Sequence, residues 1–384
     1  MRIALLITEL EVGGAEKTLT ELAVGLTHRG HAVRVLAIAS PPATGRDGLV
    51  ETMRGEKIEL HFGGFDRASQ AFSAKRWIET QHRQFAPDVS QTFLFHANTL
   101  GEAAARRVGV AVRVGGLRVA EPKPVRLWLE KRAIRGMSHL VCVSRDVKQF
   151  ALDRLGARRD RCSVIPNGVK VDRFDEAAPV EWADFGWPTD CRVALFIGRF
   201  HPQKGLDLIR QQADSILQQD PSRRLLLIGD GPLRAELEAW SAQAALRSSS
   251  DDKPIRVLPW QADVAPFLKS ASLLLLPSRY EGMPNVVLEA MAAGLPVVCS
   301  RVEGASELLG DDQEERGKRQ GFQRGNAIEM TEKANTILSD DALANRLGTS
   351  NRQFVASHYS YDSMIDAYES LYARLLTESS GEKS

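Results

Sequence analysis

Along the first half of the chain, short unbroken apolar runs alternate with segments whose apolar residues recur every three to four positions. Residues 3–7 form the first run. After Gly13-Gly14, the residues Leu19, Leu22, Ala23 and Leu26 repeat at the helical period, which predicts a helix over 15–27 that Gly30 ends. Further strands are predicted at 33–39, 89–95, 110–114 and 140–143. A second series begins near Arg192, with strands at 193–197, 224–228, 255–258, 273–276 and 296–300 and helices at 206–217, 233–245, 264–270 and 285–293. Strands apolar throughout, with amphipathic helices between them, belong to parallel sheets covered on both faces. The fold class is therefore α/β, with two Rossmann-like doubly wound parallel-sheet domains. They are expected at 1–171 and 191–360, joined by a linker at 172–190 rich in Asp, Glu, Ala, Pro and Trp. The charged stretch 309–325 reads as a solvated loop. A last helix, about 361–376, carries Met364, Ile365, Tyr368, Leu371, Tyr372 and Leu375 on one face, ahead of a polar tail expected to fray.

Composition narrows the function classes. The 384 residues carry 50 Lys and Arg against 49 Asp and Glu, a net charge of +1. That balance excludes nucleic-acid binding driven by counterion release and a disordered tail protein. No apolar run reaches the roughly 18–20 residues of a membrane span. The opening MRIALLITELEVGGAE is interrupted by Glu9 and Glu11 and reads as a first strand, not a signal peptide. Cys142, Cys162, Cys191 and Cys299 are scattered without a CxxC pair, so reduced core thiols in a cytoplasmic protein are expected rather than disulfides or a zinc site.

In tandem sheets of this kind, the carboxyl ends of both strand sets are expected to line a shared cleft, and ligands bind outside those ends. The strand-to-helix turns are the places to look. The turn 198–205 (GRFHPQKG) puts Arg199 and Lys204 just before a helix, an arrangement suited to a diphosphate held by fixed cations and helix amides; an ordinary solvated loop is the other reading. The turn EGMPNVVLE places Glu281 ahead of a helix and Glu289 about one turn inside it. Its Gly282, Met283, Pro284, Asn285 and Val286 start the helix, where backbone N–H groups lack partners. A loop carboxylate accepts two hydrogen bonds at once and so grips vicinal sugar hydroxyls; service to the helix dipole explains Glu281 as well. Gly13-Gly14-Ala15-Glu16 lets a ligand approach a helix start, but it is not GxGxxG, and no acidic residue ends the second strand, so dinucleotide binding is disfavoured. Pro166-Asn167-Gly168-Val169 reads as a structural turn near the domain junction.

As a set, GGAEKTLTELAVGLTHRGHAVRVL, PNGVKVDRF, GRFHPQKGLDLI, IGDGPLRAELE and PSRYEGMPNVVLEAMAAGLPVV resemble the retaining glycosyltransferases of family 4, bacterial polysaccharide and lipopolysaccharide enzymes of the GT-B fold. The likeness runs over nearly the whole chain. It implies a final helix, within 361–384, that crosses back to the first domain. It also implies a nucleotide diphosphate sugar donor, with uridine the usual base, and a glycan or lipid-linked acceptor. Arg199 and Lys204 would stabilise the leaving diphosphate in place of a metal, so neither metal nor cofactor is expected. No Asp-x-Asp motif appears, and the doublets Asp251-Asp252 and Asp311-Asp312 sit in loops. Glu281 would hold donor-sugar hydroxyls, the amides of Gly282 to Val286 sugar and phosphate oxygens, and Glu289 the ribose. Leu258 to Trp260 would meet the base, although Pro259 stands where the family commonly has glycine. Gly14 would approach the phosphates. His96 matches a histidine the family often keeps near the donor sugar, and a structural histidine explains it equally. Arg118 stands where many relatives place a histidine.

Residues 123–136 (KPVRLWLEKRAIRG) interleave basic and apolar positions, a pattern that fits either a helix lying on anionic lipid or one packed on the sheet. Two other functions compete on the same architecture. A nucleotide-sugar epimerase or hydrolase would need acid/base groups at several cleft turns, which are scarce here. A periplasmic-type sugar-binding protein has no use for Arg199, Lys204, Glu281 and Glu289 together.

Overall fold

The computed structural model describes residues 1–120, 123–247, 253–310 and 313–381. The chain divides into two compact units, Met1–Gly168 with Tyr361–Ser384, and Val169–Ser360. The first holds a seven-stranded sheet: β1 Arg2–Ile7, β2 Ala32–Ala37, β3 Glu59–Phe62, β4 Val89–Phe93, β5 Val112–Leu117, β6 His139–Cys142 and β7 Cys162–Val164. All neighbours pair in parallel, in the order β3-β2-β1-β4-β5-β6-β7. The second holds β8 Arg192–Ile197, β9 Arg223–Ile228, β10 Ile255–Leu258, β11 Leu273–Leu276, β12 Val297–Ser300 and β13 Gly321–Phe322, also parallel, in the order β10-β9-β8-β11-β12-β13. Two doubly wound α/β units are thus present. The GT-B expectation for fold class holds.

Central strands behave as their apolar runs require: β4, β9, β11 and β12 are buried along their whole length. The strands the sequence does not announce, β3, β7 and β13, all lie at sheet edges. An edge strand needs no continuous apolar run; β3 alternates Glu59, Leu60, His61 and Phe62 and is half exposed.

The solvated-loop expectation for 309–325 is corrected. Glu315–Gln320 is a helix leading into β13, with Gln320 and Phe322 fully buried. Gln320 accepts from the Val297 N–H at 2.8 Å and bonds Asn351, while Arg316 lies over the Phe354 ring at 3.5 Å. These buried amide and ring partners are distant in sequence, so the local charge density misleads. Asp251-Asp252 and Asp311-Asp312 lie outside the described residues. Residues 172–190 pack within the second unit, where Trp182 and Trp187 are buried with ring centroids 5.8 Å apart. All four cysteines are buried and none is in a disulfide.

The last helix, Tyr361–Gly381, runs beyond its expected end, and the TESSG segment is helical rather than frayed. Met364, Ile365, Tyr368, Leu371, Tyr372 and Leu375 enter the same core as Ile3, Leu5, Ile7 and Leu19 of the first unit. Gly25 makes this possible: a Cβ there would stand 2.6 Å from Ile365 Cδ1. Tyr372 donates to Gln91 Oε1 at 3.1 Å, and Tyr361 to the Glu21 carbonyl at 3.0 Å, so both hydroxyls are satisfied inside the packing.

Candidate functional site

Each sheet reverses its strand order once, between β1 and β4 in the first unit and between β8 and β11 in the second. In open α/β sheets the crevice outside the carboxyl ends at such a reversal is where ligands bind. The loops after these four strands carry Gly14, His96, the Arg199–Lys204 pair and Glu281 respectively.

In the second unit the loops after β8 and β11 are tied together. Gly205 sits at φ +67°, and a Cβ there would lie 2.0 Å from the Pro277 carbonyl, so only glycine lets the loops meet. Gln203 donates from Nε2 to the Tyr280 carbonyl at 2.9 Å, and the Arg279 N–H donates to the Gln203 carbonyl at 2.7 Å. Across this seam Lys204 Nζ donates to Glu281 Oε1 at 2.5 Å, and Ser278 Oγ donates to the same oxygen at 2.6 Å. Glu281 is buried, and Lys204 nearly so. An ion pair this desolvated depends on its added hydrogen bond to hold its geometry. Arg199 is exposed and makes no ion pair among the described residues.

The helix Asn285–Ala292 begins where the EGMPN turn leaves off, with Pro284 as N-cap. Gly282 and Met283 donate their N–H groups to no backbone carbonyl among the described residues. Asn285 and Val286 occupy the first turn, and Glu289 is buried on the second. One residue outside the sequence candidates joins this loop. The Glu281 N–H donates to Glu303 Oε2 at 3.4 Å, and the following Gly304, at φ +59°, would carry a Cβ 2.0 Å from the Gly282 carbonyl. Its signal was a glutamate and a glycine three and four positions past the strand run 297–300. The Gly229–Gly231 turn also presses on the Arg199 loop, for a Cβ on Gly229 would meet the Gly198 carbonyl at 2.0 Å. At the end of β10, the Leu258 carbonyl accepts from the Gly229 N–H at 3.1 Å and the Pro259 carbonyl from Gln261 at 3.1 Å.

In the first unit, Gly14 opens the helix Gly14–His28 and is exposed. Glu16 folds back over Gly13, where a Cβ would stand 2.1 Å from its Oε2. Burial pushes the Glu16 carboxyl up to about 7, against the pull of its own and the Ala15 N–H and of Arg118, with Glu9 reinforcing the rise. Arg118 is itself buried, donates to Asn167 Oδ1 and lies over the Phe93 ring at 5.4 Å. Gly168 N–H in the same turn donates to Met364 Sδ at 3.2 Å, so the 166–169 turn is structural. His96 sits on the first turn of Phe95–Arg107, edge-on to Phe95. Partial desolvation and then the Arg126 guanidinium lower its pKa, so the neutral ring is favoured.

The helix Pro124–Ile134 departs from the amphipathic expectation. Its buried positions are Glu130, held by Arg126 at 3.2 Å, and Ala133, whereas Val125 and Trp128 are 74% and 61% exposed. Among the described residues no helix is long and apolar enough to cross a membrane, and no three His, Cys, Asp or Glu stand together as metal ligands.

Residues 12–173 match the family Glycosyltransferase Family 4, and residues 191–340 match Glycosyl transferases group 1. A lipopolysaccharide core biosynthesis glycosyltransferase, LpsD of Rhizobium meliloti, is 28% identical over 94% of this chain and 95% of its own. An Escherichia coli UDP-Gal:alpha-D-GlcNAc-diphosphoundecaprenol alpha-1,3-galactosyltransferase is 27% identical over 74% of this chain and 75% of its own. HepE from Anabaena, solved in complex with UDP, superposes with a TM-score of 0.79 at 18% identity, over 97% of this chain and 100% of that one, a likeness of fold. With both halves matched and the two Rossmann-like units in place, the chain belongs to the family 4, group 1 glycosyltransferases of the GT-B fold.

Proposed function

We propose that this glycosyltransferase moves a sugar from a UDP-sugar to a glycan or lipid-linked acceptor in surface polysaccharide synthesis, with retention at the anomeric carbon. The observation that carries the reading is the Lys204–Glu281 pair across the β8/β11 reversal, beside an Arg199 that pairs with nothing described. Arg199 supplies uncompensated positive charge for a diphosphate. Lys204 turns toward the same group as negative charge builds on the leaving oxygen, while Glu281, steadied by Ser278, accepts from sugar hydroxyls. The free amides of Gly282 and Met283, with Asn285 and Val286 at the helix start, take sugar and phosphate oxygens. Glu289 takes the ribose, and the segment from Leu258 takes the base. The bond from the anomeric carbon to the diphosphate breaks with its electron pair staying on the diphosphate. The acceptor oxygen bonds the same face of that carbon, and its proton passes to the departing oxygen. Gly14 and the neutral His96 belong to the same reading as donor contacts of the first unit. The fixed cations make a metal dispensable, so EDTA is expected to leave turnover unchanged.

Support for the donor and acceptor classes comes from the relatives: one is named for UDP-Gal and a diphosphoundecaprenol acceptor, another for lipopolysaccharide core biosynthesis. The exposed Val125 and Trp128, next to exposed Lys131 and Arg132, fit peripheral contact with an anionic membrane carrying such an acceptor. Calorimetric titration with UDP, GDP and ADP tests the core of the proposal. Uptake of UDP, weakened by Arg199→Ala, is the expected result, and folded protein that takes up none of the three overturns it. The anomeric configuration of the product, read by NMR, tests retention.

A further inference from the structure

The first unit has a second concave feature, at the edge of its sheet away from Gly14 and His96. A cavity of about 660 Å³ opens among residues that precede β5, β6 and β7 and those in the last turns of Tyr361–Gly381. That volume lies in the range small ligands occupy. Arg106, Arg113, Arg135, Arg161 and Arg374 line it, with His139 and only two carboxylates, Asp160 and Glu378. Since the whole chain carries 50 basic against 49 acidic residues, five guanidinium groups around one cavity are a local excess.

The nearby carboxylates cancel only part of it. Asp160 accepts from Arg158 at 2.7 Å, outside the lining, and Glu378 accepts from Arg374 at 3.0 Å. Arg106 approaches Glu102, which is buried and whose pKa that burial raises. Arg113 is aimed by neutral groups: Nε and Nη2 donate to the Gly136 carbonyl at 3.1 and 3.0 Å, and Nη1 to the Val110 carbonyl at 2.7 Å. Arg135 and Arg161 are exposed, and their side chains make no ion pair among the described residues. His139 donates or accepts at Ser163 Oγ, 2.9 Å away; burial and then Arg374 hold its pKa down to about 4, so it stays neutral and adds no charge of its own.

We propose that this cavity binds a small phosphorylated anion, a diphosphate or sugar phosphate, gripped by the open guanidinium forks of Arg135 and Arg161 and attracted by the fixed charge of Arg113 beside them. Guanidinium forks match phosphate oxygens two at a time, which point charges on lysine do not. Because the cavity lies at the amino ends of its strands, its occupant does not compete for the loops at their carboxyl ends. The site stands independently of the donor reading.

The test is calorimetric titration of the full chain with inorganic tripolyphosphate, compared with an Arg135→Ala/Arg161→Ala double variant. Neither side chain holds a described partner, so the variant is expected to melt with the parent and to keep its UDP uptake. The expected result is loss of one binding component, or at least about tenfold weaker uptake, in the variant. No uptake by the parent, or equal uptake by both proteins, overturns the proposal. A parallel sedimentation with phosphatidylglycerol vesicles separates the two sources of phosphate. If the double variant loses vesicle binding while tripolyphosphate uptake is untouched, the cavity is a lipid-docking surface and the proposal fails.

Discussion

The loops at the two strand-order reversals use charge in opposite ways. In the first unit the charges turn inward: Glu16, in the turn after β1, packs over Gly13 onto backbone amides, and the Arg118 that acts on it from the end of β5 is buried against Asn167 and Phe93. What remains at the surface is Gly14 and a histidine favoured as neutral. In the second unit Lys204 and Glu281 join two loops side chain to side chain, and Arg199 stands open. One set of charges is turned into its own loop; in the proposed reading the other meets a charged ligand. Removing a charge should therefore show as a change of stability in the first unit and as a loss of activity in the second.

The sharpest way to break this contrast is at Lys204 and Glu281. Lys204→Ala and Glu281→Ala are each expected to lower turnover by about 10²–10³-fold, the scale seen when one charge-stabilising group is lost. Circular dichroism should report a folded protein in both cases. Parent-rate transfer by both variants would dissolve the comparison.

The next effect belongs to the first unit and is a matter of pH. The native Glu16 carboxyl sits at about 7 against an ordinary value of 4.5. The folded state therefore holds this proton more tightly, and the resulting stability is present below 4.5 and lost as pH rises through 7. Glu16→Gln cannot lose that proton. Its melting temperature should gain on the parent between pH 5 and 8, by an amount worth about 3 kcal/mol at the upper end. A constant difference across that range would mean that Glu16 is not the buried acid described.

Smaller again is Arg199→Ala, which removes an exposed cation and should raise the donor KM by about tenfold with little change in melting temperature. Smallest is Trp128→Ser, expected to weaken sedimentation with anionic vesicles a few-fold while leaving turnover on a soluble acceptor intact. A large loss of turnover there would move Trp128 from membrane contact to the acceptor site itself.

Much of this was legible in the chain. The doubly covered strands announce themselves because burial on both faces demands unbroken apolar runs, as in β11, Leu273–Leu276. The helix Leu206–Leu217 begins and ends where its periodicity says. The edge strand β3 escaped because it is half exposed, and β7 and β13 because they are only three and two residues long. The 309–325 segment misled because Gln320 and Arg316 find their partners at Asn351 and Phe354. Residue types at the candidate site were readable from the turns, but not their pairing. Lys204 and Glu281 are 77 positions apart, and only the adjacency of β8 and β11 brings them together. Glu303 needed one more step, the adjacency of β11 and β12.

The returning helix has a consequence for how the protein is made. Tyr368 and Tyr372 complete a core otherwise built from the opening strands, yet they leave the ribosome only after the entire second unit. Until then the nascent amino-terminal half carries an open apolar seam. The later half can close on itself while the earlier half waits, so the usual order of domain maturation during synthesis is reversed.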